Sequence, residues 1–472
     1  MSREGLSRRT LLRAGGLSVV AASTGLLPGV AGATGTRDTV YDAVVIGAGF
    51  AGITAVRDLR ARGLNVLLVE ARERLGGRTF TGQFAGKTVE LGGQWVGPTQ
   101  QLVQAELRRY GIPTVRDGFP TRIIMPSPTG PRAFPPLDVD TRLSELWKMI
   151  FKDADKYFPQ PLNPLLRRDL LVGIDGMSLR DRLDELRLSP QDESWISGQT
   201  AGYSGGSSAT GGLTALAHWW ALAGWSLEGM DAVTSQRPST GFVGLLKAML
   251  VEANPATAFA SPVTSVVDNG TQVTVTTRNG QVFKGRTAVV ATPVNVWKNI
   301  QFSPALPAVH ATASAQGVGV PHSVKLWLHV RGVPDKVLVH GAEGDVFTTV
   351  LSQATTTSGQ LMVAFNSLPE IDLQNFTAVE RELQRVLPEA SLIEYKTQDW
   401  GHEPYSLGGW ALRKPNQLLA QLPAIQQPVG RLMFASGDTA SGWNGFVEGA
   451  IESGMAAARQ AVAKLSGSSV PA

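Results

Sequence analysis

YDAVVIGAGFAGITAVRDLRARGLNVLLVEARERLGGR, residues Tyr41 to Arg78, runs strand, glycine turn, helix, strand and second glycine pair without interruption. Ala43 to Ile46 is a short apolar run of the kind a strand buried in a parallel sheet shows. Gly47-Ala48-Gly49-Phe50-Ala51-Gly52 then supplies G-x-G-x-x-G at the opening of a helix. In such a turn Gly47 permits the tight reversal, Gly49 lets a pyrophosphate reach the backbone, and Gly52 lets helix and strand touch. The helix N-terminus, with its unbonded N–H groups, faces the phosphates. Leu64 to Val69 form the second strand and deliver Glu70, 18 residues beyond Gly52, close to where an acid accepts hydrogen bonds from an adenosine ribose. A carboxylate there repels a 2′-phosphate, which argues against NADP. The stretch predicts a dinucleotide-binding βαβ unit.

The chain has 472 residues, enough for two or three domains. Its eleven tryptophans invite an apolar cavity as well as core packing. Ser7-Arg8-Arg9-Thr10-Leu11-Leu12-Arg13 precedes an apolar run to Leu27 and Ala31-Gly32-Ala33, which has the A-x-A form of a cleavage site. Residues 1–33 thus resemble a twin-arginine export signal, and a periplasmic or extracellular location is expected. They hold four Arg and one Glu, so their removal takes away +3 of the formal +4. A nearly neutral chain gives no support to a nucleic-acid partner. Cysteine is absent, which excludes disulfides, thiolate nucleophiles and cysteine-linked cofactors. No later stretch reads as transmembrane, and the six histidines show no H-x-x-x-H or comparable spacing, so no metal is expected. Gly202-Tyr203-Ser204-Gly205-Gly206 fits G-x-S-x-G. A serine-hydrolase elbow needs a strand before it and a helix directly after; here a polar, helix-like segment precedes it and more Gly and Ser follow.

Thr88 to Gln100, TVELGGQWVGPTQ, carries a second glycine pair where backbone could press against a flat ring. From about 101 to 240 helical patterns alternate with a proline-rich loop, Pro126 to Pro136, and a Gly/Ser-rich loop, Ser204 to Gly212. Leu213 to Trp225 is an apolar helical segment in which Trp219 and Trp225 are either cavity lining or core. Pro262 to Val266 begins a β-meander, with Asn269-Gly270 and Asn279-Gly280 as turns, and Ala288 to Pro293 reads as a further strand ending. Ser323 to Val330 alternates, with Val324, Leu326 and Leu328 on one face and Lys325, Trp327 and His329 on the other. Lys325 is either an exposed charge on an edge strand or a lysine with a task.

These stretches, with Asp399 to Trp410 (DWGHEPYSLGGW), Gly430 to Thr439 (GRLMFASGDT) and Gly442 to Gly454 (GWNGFVEGAIESG), resemble the flavin-containing amine oxidase family of the monoamine oxidase type. In character they are nearest to secreted bacterial oxidases of nicotine-type amines. The resemblance covers about Tyr41 to Ala463 and implies an α/β (α+β) fold with a Rossmann-like FAD-binding domain and an inserted substrate domain. The boundaries it suggests are 40–100, 240–320 and 415–465 for the first and 101–239 and 321–414 for the second. It assigns FAD contacts to Gly47, Gly49, Ala51, Gly52, Glu70, Ala71, Arg72, Gly77 and Arg78. It assigns further contacts to Gly92, Gly93, Gln94, Trp95, Val263, Gly437, Asp438, Phe446 and Val447.

The implied reaction moves a hydride from the carbon next to an amine nitrogen to flavin N5, and water hydrolyses the imine to a carbonyl compound. The resemblance gives Lys325 a water near flavin N5 and makes Trp410 and Phe446 two rings that steer the amine, with Phe446 standing where many relatives have tyrosine. Gly409 stands where some relatives carry a flavin-linking cysteine, so FAD is expected to be non-covalent. Expected partners are a hydrophobic, aromatic amine and either O2 or a cytochrome-like redox protein as acceptor. No membrane is expected after signal cleavage, and a homodimer stays open. An L-amino acid substrate would need a cation for its carboxylate. Arg413 is near Trp410 in sequence, but a surface position is expected for it. Alternatives are a polyamine oxidase, a flavin dehydrogenase that bypasses oxygen, and a binding module without turnover.

Overall fold

The computed structural model describes residues 39–368 and 371–468; the export signal expected over 1–33 lies outside them. Val40–Ile46, buried from Ala43 onward, lies inside an eight-stranded sheet. It pairs in parallel with Val66–Val69 on one side and with Val282–Val290 on the other. Ala256–Ala258 extends the sheet beyond Val66–Val69. On the other flank the meander adds Val273–Thr277, Val263–Asp268 and then Gln301–Ser303. Leu432–Phe434 pairs with the last residues of Val282–Val290, where the antiparallel partner has already ended. Both meander turns place glycine at positive φ, +88° for Gly270 and +79° for Gly280, as Asn-Gly turns require.

Helices cover this sheet. The glycine turn leads into the helix Phe50–Arg60, which packs against Gly241–Ala253 and against the last helix, Val447–Ser466. The contact with the last helix is close: a Cβ on Gly454 would lie 2.3 Å from the Ala51 carbonyl oxygen. Strands buried on both faces explain why Ala43 to Ile46 and Val66 to Val69 read as unbroken apolar runs rather than alternations.

A second, mainly antiparallel sheet has seven strands in the order Ser391–Asp399, Val324–Arg331, Gly359–Asn366, Phe347–Thr356, Val337–His340, Arg122–Met125 and Arg132–Phe134. The alternation expected along Val324–Arg331 holds. Val324, Leu326 and Leu328 face a core that the helix Phe376–Val386 covers with Val379 and Leu383. The strand is not at an edge, however. It lies between Gly359–Asn366 and Ser391–Asp399, and its other face is covered as well, with Trp327 packed among Phe84, Val89 and Leu91. The exposed-edge alternative for Lys325 is therefore wrong.

Several local expectations need correction. The stretch 101–240 is not helical throughout, because Arg122–Met125 and Arg132–Phe134 belong to the second sheet, the latter inside the expected proline-rich loop. Ser204 ends the helix Pro190–Ser204 rather than opening a loop. The Leu213 segment stops being helical at Leu222, and Trp225 lies beyond it, 37% exposed and at φ +56°. It lies outside the hydrophobic core. The last helix starts at Val447, so Gly442 to Phe446 are its approach rather than its first turn.

Candidate active site

The glycines of the first turn separate into two kinds. A Cβ on Gly47 would sit 2.6 Å from the Ala291 carbonyl oxygen, and one on Gly52 would sit 1.9 Å from the Gly47 oxygen, so protein packing alone demands glycine at both. Gly49 differs, since its nearest neighbours would be Gly76 and Gly77 backbone atoms at 3.9 Å, and its φ of −79° suits any residue. Gly77, at φ +57°, meets only Gly49 Cα. The two glycines lie within contact of one another, and both stay part-exposed, so the bare backbone of the turn is open to a ligand. Beside them the helix Phe50–Arg60 begins without a side-chain cap, leaving N–H groups for an anion. Glu70 is buried at the end of its strand, with Oε2 accepting from Ala48 N at 2.7 Å and Oε1 from Arg72 N at 2.9 Å. Ala71 follows it, half-buried. Arg72 pairs with Glu403 and bonds Ser406 at 3.2 Å, tying this corner to the Asp399–Trp410 stretch. Val263 is half-buried and pairs with Thr277 at the start of its strand.

Sequence reasoning missed Arg74, which lies in this same loop. Its guanidinium donates to the carbonyls of Leu75, Gly77 and Thr79 and lies 4.1 Å from the centre of the Phe80 ring, so it sets the shape of the second glycine pair. Burial pushes its pKa down to about 10. Only its place within a loop of many arginines was visible in the sequence.

The stretch Glu90 to Gln94 is pinned carbonyl by carbonyl. Trp327 Nε1 donates to Glu90 O at 2.9 Å, Trp400 Nε1 to Leu91 O at 3.0 Å, and Lys325 Nζ to Gly92 O at 2.9 Å. Gly92 is compulsory, since a Cβ there would lie 2.1 Å from Arg78 O and 2.8 Å from the Trp400 ring. Gly93 is exposed, and Gln94 is buried with its amide oxygen 2.7 Å from Lys325 Nζ and its nitrogen bonded to Gln353. Trp95 donates to Asp117 at 2.7 Å, and its ring centre is 5.1 Å from Lys325 Nζ.

Lys325 is thus 3% exposed and surrounded by carbonyls and rings. Burial pushes its ammonium well below the ordinary lysine range, and the negative field of Glu90 opposes that shift. Burial likewise raises Glu90 well above the ordinary carboxylate range, although the Thr81 hydroxyl and Phe242 N–H bond to it. The pair is held where either charge is expensive without the other.

From Trp95 two clusters of rings, joined by one hydrogen bond, lead away from the lysine. Phe365 lies 6.2 Å from Trp95 and 6.4 Å from Trp410. Trp410 donates its N–H to Tyr203 O at 2.9 Å. Tyr203 meets Trp219 at 6.0 Å, Trp219 meets Phe446 at 4.8 Å, and Phe446 meets Trp443 at 5.0 Å. Trp410 and Phe446 are half-buried, whereas Trp219 and Trp443 are buried. The structure links Trp410 to Phe446 through the Tyr203 backbone carbonyl and the Tyr203 and Trp219 rings. Tyr203 and Phe365 were not singled out as members of these clusters, and nothing local marks them, because each comes from an element remote in sequence.

Arg78 joins the glycine corner to the C-terminal stretch. Its guanidinium donates to Gly409 O at 2.8 Å and lies 2.6 Å from Asp438 Oδ1. Asp438 is fully buried, and its other oxygen accepts from Val294 N at 2.9 Å. Gly437 O accepts from Gly445 N at 2.8 Å, which positions the approach to the last helix. Phe446 precedes that helix and Val447 begins it, again without a side-chain cap. Arg413 is not on the surface as expected. It is 1% exposed, donates to the carbonyls of Asp438 and Ala440, and is committed to holding this loop rather than free for a substrate carboxylate. Gly202 to Gly206 holds no hydrolase elbow, because a helix precedes Ser204 and its hydroxyl donates back to Thr200 O.

An extended dinucleotide fits these residues. The part-exposed backbone of Gly49 and Gly77 lets a pyrophosphate approach the turn, two uncapped helix N-termini favour negative charge, and the buried Thr292 hydroxyl beside the turn has no protein partner.

The profile of the family described as flavin containing amine oxidoreductase matches residues 50–462. The chain is 32% identical to a pseudooxynicotine dehydrogenase from Pseudomonas sp, across 99% of this chain and 98% of that protein. It is 29% identical to the (S)-6-hydroxynicotine oxidase of Paenarthrobacter nicotinovorans, across 88% and 97%. Among solved structures, putrescine oxidase bound to putrescine superposes with a TM-score of 0.78 at 21% identity, covering 90% of this chain and 99% of that one. The cyclohexylamine oxidase of Brevibacterium oxydans IH-35A superposes with a TM-score of 0.77 at 20% identity, covering 91% and 100%. With the dinucleotide cradle and the ring clusters already in place, these matches establish that the chain belongs to the flavin-containing amine oxidoreductase family, whose members act on amines.

Proposed function

We propose that the enzyme oxidises a hydrophobic amine carrying an aromatic ring, at the carbon next to nitrogen, using non-covalent FAD. The observation that carries the substrate class is a pair of ring clusters, Trp95–Phe365–Trp410 beside the buried Lys325 and Tyr203–Trp219–Phe446–Trp443, joined by the bond from the Trp410 N–H to Tyr203 O. Such clusters favour the neutral amine by withholding water from the ammonium, and only the neutral amine has a lone pair to drive hydride departure. Trp410 and Phe446 present π faces that suit a nitrogen gaining positive character. When bound, FAD supplies the hydride acceptor. Lys325 keeps an N–H group for a water molecule, because Gly92 O and Gln94 Oε1 engage only two of the three an ammonium carries. The uncapped start of the last helix favours negative charge at the site it faces.

Non-covalent binding rests on two observations. The chain has no cysteine, and a Cβ on Gly409 would lie 2.4 Å from Ser323 Oγ, so no side chain enters at that position. Hydrolysis of the imine would then give an aldehyde or ketone. The relatives bear the names of both dehydrogenases and an oxidase, so the acceptor is O2 or a redox protein. The twin-arginine pattern of residues 1–33 supports export before either is met.

The substrate class is tested by comparing kcat/KM for 2-phenylethylamine and N-methylbenzylamine with that for 1,4-diaminobutane. The aryl amines are expected to lead by about tenfold or more, one well-packed ring contributing upwards of ~1.4 kcal/mol. Preference for the diamine would overturn the reading.

A further inference from the structure

The two rings assigned to the amine are not held independently. Trp410 is held by its N–H bond to Tyr203 O, 2.9 Å long. The Tyr203 ring meets Trp219 edge to face at 6.0 Å and 83°, and Trp219 meets Phe446 edge to face at 4.8 Å and 71°. Trp219 Nε1 in turn donates to Asn444, to its carbonyl at 3.1 Å and its side-chain oxygen at 3.2 Å. Asn444 is fully buried, and its amide nitrogen donates to Ala411 O at 3.3 Å, the residue after Trp410. The contacts close a ring: Trp410, Tyr203, Trp219, Asn444, Ala411 and back to Trp410.

Such a circuit has a physical consequence. A half-buried ring with one supporting contact can tilt, whereas one braced from two sides keeps its angle. Phe446 is braced by Trp219 on one side and by Trp443, at 5.0 Å and 74°, on the other. It lacks the hydroxyl that tyrosine would offer at this position, so its orientation depends on packing alone. Trp219 is the one residue of the circuit that touches Phe446 while also bonding the loop that carries it, through Asn444.

We infer that Trp219 and Asn444 are positioning residues that fix the gap between Trp410 and Phe446, and so determine how strongly the enzyme selects amines with a flat ring over amines without one. This rests on the proposed role of Trp410 and Phe446. The molecule contains its own control in Trp220, the next residue, equally buried at 2% exposed, which packs on Phe151 at 5.5 Å.

The test uses the holoenzyme and two amines that have no hydrogen on the carbon next to nitrogen, 2-phenylpropan-2-amine and tert-butylamine, so that binding is measured without turnover. Calorimetric Kd values for each are obtained for wild type, Trp219→Phe, Asn444→Ala and Trp220→Phe, with flavin content and Tm measured in parallel. Trp219→Phe is expected to weaken the phenyl amine about tenfold and tert-butylamine by less than about threefold, the loss of one oriented ring contact plus its anchor. Asn444→Ala shifts the ratio in the same direction, and Trp220→Phe lowers Tm without changing it. If Trp219→Phe does not fold, Asn444→Ala alone decides. Equal changes for both amines, or the same ratio in the Trp220 and Trp219 variants, would overturn the inference. If wild type itself fails to favour the phenyl amine, the fault lies with the proposed substrate class, and the positioning claim falls with it.

Discussion

Gly49→Ala separates what the dinucleotide turn does for the protein from what it does for its ligand. The nearest protein atoms to a Cβ at 49 lie 3.9 Å away, and φ there is −79° with ψ 179°, a conformation alanine adopts freely. For the protein alone the substitution trades an entropic gain of about 0.4–1 kcal/mol in the unfolded chain against the loss of about 1 kcal/mol of preference for glycine over alanine at a helix N-cap. Tm of flavin-stripped enzyme should therefore move by roughly 2 °C or less. The same methyl group adds bulk to a part-exposed turn whose bare backbone a pyrophosphate must approach, and overfilling a close contact costs about 1–3 kcal/mol. That corresponds to a loss of roughly fivefold to 150-fold in FAD affinity. Titrating stripped protein with FAD while following flavin fluorescence gives Kd directly, and calorimetry gives Tm. Gly52→Ala supplies the contrast, because its Cβ would be 1.9 Å from Gly47 O and must disturb the protein itself. Unchanged FAD affinity in Gly49→Ala, or a Tm loss as large as in Gly52→Ala, would refute the division of labour among the glycines.

Arg78→Ala leaves the fully buried Asp438 carboxylate without its cation, 2.6 Å away in the native structure; a stability loss of about 3 kcal/mol in urea melts, with loss of bound flavin, is expected. Gly409→Ala forces a Cβ to 2.4 Å from Ser323 Oγ, which should cost about 1–3 kcal/mol and be recovered in the double variant with Ser323→Gly. Acid precipitation of the wild type should leave a colourless pellet, since nothing in the chain can bond the flavin through sulfur. His218 is neutral in the folded protein, because burial pushes its pKa from the ordinary 6.5 down to about 4. The unfolded chain therefore takes up a proton first as pH falls, and stability present above 6.5 is lost between about 6.5 and 4, by about 3 kcal/mol if this group acts alone. His218→Gln, which keeps a donor for Pro161 O, should flatten Tm against pH in that window; an unchanged acid limb would contradict it.

What the sequence disclosed follows from how local each signal is. The glycine turn, its strand and Glu70 lie within one contiguous stretch, and the motif's spacing carries their geometry. The face on which Lys325 lies was legible from alternation, but its burial was not. That depends on Gly359–Asn366 and Ser391–Asp399 flanking the strand, partners that lie far along the chain. Arg413 misled because Lys414, Pro415 and Asn416 follow it, a polar context that reads as surface, whereas its acceptors Asp438 O and Ala440 O arrive from another loop. Short edge strands such as Arg132–Phe134, set among prolines, carry too few residues for a period to show. Of the rings, Trp95, Trp410, Trp443 and Phe446 lie within recognisable stretches, and Trp219 stood open between cavity lining and core. Tyr203 lies one residue before the end of its helix and Phe365 one residue before the end of its strand, and only the tertiary fold brings them to the other rings.

The central claim, hydride removal from the carbon beside an amine nitrogen into a flavin held by this cradle, is tested most directly by mixing the holoenzyme with 2-phenylethylamine without oxygen and following the flavin's visible absorbance. The colour should bleach in a single turnover, several-fold more slowly when the carbon next to nitrogen carries deuterium, and at an unchanged rate when deuterium is on the next carbon. Persistent colour with a panel of aryl amines, or bleaching indifferent to deuterium at the first carbon, would contradict the account.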